Sequence, residues 1–82
     1  MNKQEILEKI GEILCEEALI EDASALTMES TFRDDLGMDS LEMIDLVNTM
    51  EEEFGVKIDD SELTQIIKAE DAVNKISEMI AD

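Results

Sequence analysis

Three times along this chain an Asn or Asp stands three residues ahead of a Glu, at the head of an apolar stripe: Asn2–Glu5, Asp39–Glu42 and Asp59–Glu62. At that spacing the first side chain accepts from the third helical N–H while the Glu reaches back to the cap's own N–H, so each pair marks a helix start. The chain contains no proline to interrupt a helix once begun. Behind Asn2, the residues Ile6, Leu7, Ile10, Ile13 and Leu14 share one face and predict a helix over about 3–17. Behind Asp39, Met43, Ile44, Leu46, Val47, Met50 and Phe54 cover a broad apolar arc opposite a polar stripe of Glu42, Asp45, Thr49 and Glu52. They predict a second helix over about 40–54, with Gly55 placed to end it. Behind Asp59 the apolar period runs unbroken through Leu63, Ile66, Ile67, Ala69, Ala72, Val73, Ile76, Met79 and Ile80. One helix from 60 to 81 fits that stretch as well as two. Residues 18–39 hold no period and read as a long loop, pinned by Leu19, Ile20, Leu26, Phe32 and Leu36. A loop of that length in a small domain is more often functional than idle.

The 82 residues suit one domain, 1–82, which on folding would bury only about 60% of its unfolded surface. Its core must be aliphatic, because Phe32 and Phe54 are the only aromatic residues. A net charge of −17 excludes the basic surface that nucleic acid requires and opposes anionic membranes. The longest uncharged run is 23–28, far below the roughly 18 apolar residues of a membrane span, so no membrane insertion is expected. Glu5, Glu8 and Glu12 leave no secretory signal at the start, and a single Cys15 forms no internal disulfide. Both fit a cytoplasmic protein. Residues 34–62 hold 11 acids against Lys57 alone, a concentration suited to steering basic partners.

Independent catalysis is not supported. There is no His, no nucleophile with a matching base and no glycine-rich phosphate loop. Cys15 therefore reads as a helix-flank residue. A calcium loop needs Asp at its first position when glycine holds its sixth, and counting back from Gly37, Gly55 and Gly11 gives Phe32, Met50 and Ile6 instead. No dedicated metal site is expected. There remains Asp35-Leu36-Gly37-Met38-Asp39-Ser40-Leu41, which places a serine at the positive end of the second helix, where a phosphate can be held. If Asp39 caps that helix, the Ser40 hydroxyl is free to react. If Ser40 is itself the cap, it is not. The spacing leaves both open.

Thr31-Phe32-Arg33-Asp34-Asp35-Leu36-Gly37-Met38-Asp39-Ser40-Leu41-Glu42, with Leu46-Val47 and Glu51-Glu52-Glu53-Phe54-Gly55 beyond it, closely resembles the acyl carrier protein family. The resemblance spans nearly the whole chain. It implies an all-α four-helix bundle with a short third helix and a long loop between helices one and two, splitting residues 60–81 near Ile67-Lys68-Ala69. It implies that Ser40, flanked by Asp39 and Leu41, receives 4′-phosphopantetheine from coenzyme A through a separate phosphopantetheinyl transferase. The arm's thiol would then carry acyl groups as thioesters. Asp39, Glu42, Asp45, Glu51 and Glu52 would meet basic patches on acyl-loading and fatty-acid-synthesis enzymes. Phe32, Leu46, Val47, Met50, Phe54, Ile58, Leu63, Ile66, Ala72 and Ile76 would surround an acyl cleft or simply form the core. A monomer is expected. Two features depart from the family pattern: Arg33 stands where an apolar residue is common, and Lys68-Ala69 offers no Ser or Thr to cap the last helix. A dedicated carrier for a polyketide, nonribosomal peptide or other specialised pathway would share every one of these features. An acidic interaction module that is never modified is the rival of a different class.

Overall fold

The computed structural model describes residues 2–80 and contains four helices: α1 (Lys3–Glu16), α2 (Ser40–Phe54), α3 (Asp60–Leu63) and α4 (Ala69–Ile80). Asn2 and Glu5 form the expected capping box, with Glu5 N–H donating to Asn2 Oδ1 at 2.8 Å and Asn2 N–H to Glu5 Oε1 at 2.9 Å. α1 packs against both α2 and α4. Ile6, Ile10 and Leu14 from α1, Leu46 and Met50 from α2, and Val73 and Ile76 from α4 are fully buried together, with Phe32 inserted from the loop. Burying such a side chain contributes about 1.5–3 kcal/mol, so these eight account for much of what holds the helices together.

The long loop is better ordered than its sequence suggests. α1 stops at Glu16, and Ala18 adopts φ +61, a left-handed conformation that usually falls to glycine. That turn lets the Leu19 N–H donate back to the Leu14 carbonyl at 2.8 Å. A short 3-10 turn comes next at Ala23–Ala25, capped by the Asp22 carboxylate, and it sits on α1 at Gly11. A Cβ there would lie 3.0 Å from the Ala23 carbonyl oxygen, so glycine is what allows the loop this close. Leu26, Phe32 and Met38 are buried, while Leu19, Ile20 and Leu36 pack partly buried against the same core.

The stretch after Asp59 divides into two helices, and the reason lies outside it. Ile67 and Lys68 are drawn out of helical geometry by the loop: Phe32 N–H donates to the Ile67 carbonyl at 3.0 Å, and Thr31 pairs with Lys68 as an isolated antiparallel bridge. The first N–H groups of α4 find carbonyls in the same loop, Ala69 on Ser30 at 2.8 Å and Glu70 on Met28 at 3.0 Å. Asp71 completes the start by accepting from the N–H groups of Ile67 and Lys68 at 3.0 and 2.9 Å. The missing Ser or Thr cap is thus replaced by an aspartate inside the helix and by two loop carbonyls. No helix among the described residues is long and apolar enough to cross a membrane.

Candidate functional site

The loop's last nine residues, from Thr31 to Asp39, deliver the serine. Thr31 and Asp35 bind each other twice, Asp35 Oδ2 accepting from the Thr31 N–H at 2.8 Å and Thr31 Oγ1 from the Asp35 N–H at 2.9 Å. Gly37 then turns the chain with φ +69, and Met38 drops its buried side chain into the core while its N–H donates to the Phe32 carbonyl at 2.9 Å. The next residue, Asp39, is extended and caps α2: its Oδ1 accepts from the Glu42 N–H at 2.8 Å, and Glu42 Oε1 accepts from the Asp39 N–H at 3.0 Å. The open question of the cap is settled in favour of Asp39.

Ser40 is therefore the first residue of α2, with an exposed side chain that caps nothing. Its Oγ accepts a single hydrogen bond, from Arg33 Nη2 at 3.0 Å. Beside it Leu41 is 74% exposed and Ile44, one turn along, is 43% exposed. A cavity of about 400 Å³ opens beside Ser40 between α2 and the α3–α4 segment, with Ile44 in its wall. Arg33 and Asp34 stand at it with Ser40, and its apolar lining comes from Met43, Ile44, Leu63, Ile66 and Ile67.

Of the ten residues expected around a cleft, Leu63 and Ile66 line this cavity. Phe32, Leu46, Met50, Ala72 and Ile76 are fully buried in the core, and Val47 and Ile58 are nearly so. Phe54 lies half-buried at the far end of α2, with the Lys9 ammonium 5.7 Å from its ring centre. The sequence reading missed Met43, Ile44 and Ile67 as cavity residues. The apolar period did not distinguish Ile44 and Ile67 from their buried neighbours; the structure leaves both exposed.

The five acids expected to face partners divide similarly. Asp45 and Glu52 are exposed and make no side-chain hydrogen bond or ion pair among the described residues. Asp39 is exposed and Glu42 half-buried, and each is held in the capping box. Glu51 is half-buried and has internal work: its Oε2 accepts from the Ile58 N–H at 2.7 Å, tying the chain after α2 to that helix. Thr49, on the same stripe, donates to Glu17 Oε1 at 2.9 Å and to the Asp45 carbonyl at 3.0 Å.

The cavity's outer wall is anchored through Glu62 on α3. Its carboxylate accepts from the Asp59 N–H at 3.0 Å and pairs with Lys75 of α4 at 3.1 Å. The Asp59 N–H, and after it the hydrogen bond from Lys75, hold the Glu62 pKa below the ordinary glutamate value. Asp22 is likewise lowered, first by the Ser24 N–H that it accepts and then by the Ser24 hydroxyl.

Residues 5–76 match the family model described as the phosphopantetheine attachment site. The acyl carrier protein of Petrotoga mobilis is 45% identical over 80 residues, covering 98% of this chain and 93% of that one. The acyl carrier protein of Rubrobacter xylanophilus is 41% identical over 78 residues, 95% of each chain. The crystal structure of the acyl carrier protein from Thermotoga maritima superposes with a TM-score of 0.85 at 32% identity, covering 98% of this chain and 92% of that one. With a four-helix architecture, an uncommitted serine at the head of α2 and agreement of this extent, the chain belongs to the acyl carrier protein family, the carriers of phosphopantetheine.

Proposed function

We propose that Ser40 is the residue esterified by 4′-phosphopantetheine, and that the protein presents acyl intermediates to enzymes of fatty-acid synthesis in the cytoplasm. The observation that carries this reading is the division between neighbours: Asp39 satisfies the helix, so the Ser40 hydroxyl is exposed and donates to no internal acceptor among the described residues. The residues present fit the group. Ser40 Oγ is open to a transferase, the N-terminal end of α2 favours a phosphate negative charge, and an apolar cavity begins beside the serine. The loading step would be displacement at phosphorus, with Ser40 Oγ bonding to the pantetheine-bearing phosphate of coenzyme A. The pyrophosphate bond breaks, adenosine 3′,5′-bisphosphate leaves with the bridging oxygen and its electron pair, and the transferase takes the hydroxyl proton. When attached, the group's terminal thiol holds the cargo as a thioester.

The chain's own part is to anchor, shelter and be recognised. Ser40 fixes the arm, and the rigid first turn of α2 sets its departure point. Met43, Ile44, Leu63, Ile66 and Ile67 offer apolar surface to a bound chain. Asp45 and Glu52 are the acids best placed to meet basic partners, since neither has an internal task. Exposed ion pairs are worth only about 0–1 kcal/mol each, which suits a carrier that must leave each enzyme after a turn.

Incubating the protein with coenzyme A and a broad-specificity phosphopantetheinyl transferase tests the reading by intact-protein mass. The wild type gains the mass of one phosphopantetheine group and Ser40→Ala gains none. An unmodified wild type, or a gain that survives Ser40→Ala, would reject Ser40 as the attachment residue.

A further inference from the structure

Arg33 belongs to a chain with 23 acidic side chains and only six basic ones, yet its guanidinium rests against a neutral hydroxyl. Lys9, Lys68 and Lys75 each find a glutamate, at 3.4, 3.4 and 3.1 Å. Arg33 forms no such pair among the described residues; its hydrogen bond goes to Ser40 Oγ at 3.0 Å. Asp35 is engaged with Thr31 and Asp39 with Glu42, while Asp34, beside Arg33 at the cavity, forms no ion pair with it among the described residues. A guanidinium presents five N–H donors in a planar fork that matches the oxygens of a phosphate, and here one donor is used. The geometry is that of a cation waiting beside a position where an anion will be built.

We propose that Arg33 binds the phosphodiester of the prosthetic arm, a role that rests on Ser40 being the attachment residue. The phosphorus bonds directly to the oxygen that Arg33 already touches, so its free oxygens fall within reach of the same guanidinium after a small side-chain rotation. The charge balance favours the exchange. A molecule of net charge −17 receives one more anion next to Asp39, and Arg33 is the cation at that spot. The pairing also gives the arm a direction. Arg33 and Ser40 both stand at the rim of the cavity lined by Met43, Ile44 and Ile67, so a phosphate drawn toward Arg33 starts the arm on the cavity side of α2 and away from Leu41. Charge-assisted pairs of this kind are roughly twice as strong as neutral hydrogen bonds and weaken with salt.

The test loads wild type, Arg33→Gln and Arg33→Lys with coenzyme A and a transferase, with intact mass read first and the phosphorus NMR resonance of each loaded protein read second. Arg33 is exposed, so both variants keep the fold, which circular dichroism checks. In low salt the Arg33→Gln resonance moves from the wild-type position toward that of the acid-unfolded loaded protein. Arg33→Lys, which keeps the charge, stays nearer the wild type, and added salt narrows the gap between wild type and Arg33→Gln. A resonance unmoved by Arg33→Gln, or moved equally by both variants, would overturn the role of Arg33 and leave the attachment reading standing. A wild type that gains no mass would overturn both.

Discussion

Asp39 and Ser40 are adjacent, both polar and both suited to capping a helix, and the fold assigns them different work. Asp39 forms the box with Glu42 that satisfies two backbone donors, whereas Ser40 satisfies none. Asp39→Ala should therefore cost about 1 kcal/mol of stability, as loss of an N-cap does, and Ser40→Ala less than about 0.5 kcal/mol, as at an exposed surface position. Urea unfolding measures both. Equal losses would mean that the serine shares the capping. The sequence narrowed the cap of α2 to Asp39 or Ser40, because both residues and the returning glutamate lie within four positions, but only the fold decides between them. Arg33 was legible only as a departure from the family pattern. Its contact with Ser40 depends on the Gly37 turn, which folds the chain between the two back on itself, and no periodicity reports that.

α1 and α2 were readable because each has a capping box and a continuous apolar stripe; α2 also has its stop in Gly55, whereas α1 ends at an alanine turn that no residue type announces. The region from 60 to 80 was not, since its apolar period passes through the break without a fault. Helix is interrupted there because Phe32, Ser30 and Met28 claim the backbone of residues 67–70, a demand made from outside the segment. α3 buries no residue fully and leans on Glu62 for its hold on α4. Because the folded-state pKa of Glu62 is below its unfolded value, the contribution is complete above the ordinary glutamate pKa and is lost as pH falls through the lowered value. The Asp59 amide shift, tracked by NMR, should then titrate with a midpoint below the ordinary glutamate value. A midpoint at or above that value would show that the anchor is not formed. Glu51 has an internal task at this scale as well. Its carboxylate secures the Ile58 N–H, so losing it loosens the chain after α2 whatever it also does to partners.

Over the whole molecule, charge of one sign dominates, and a compact body with a net charge of −17 repels itself. The melting temperature should rise from low salt to about 0.15 M, where screening acts over about 8 Å. A flat salt series would contradict that balance. Charge reversal at Asp45 and Glu52 separates recognition from folding, because neither carboxylate is engaged internally. Asp45→Lys with Glu52→Lys should lower turnover by partner enzymes while the unfolding free energy stays within about 0.5 kcal/mol per site. Unchanged turnover would remove these acids from the contact. Phe32 ties these levels together in one further respect. Its side chain is locked in the interior, its amide holds the Ile67 carbonyl on one flank, and its carbonyl holds the Met38 amide on the other. One fixed peg thus carries both the jaw at 60–68 and the pedestal under the serine. A guest wedged beneath that jaw would tug on the mooring of its own tether, so that full and empty forms can differ at the very spot an enzyme first meets.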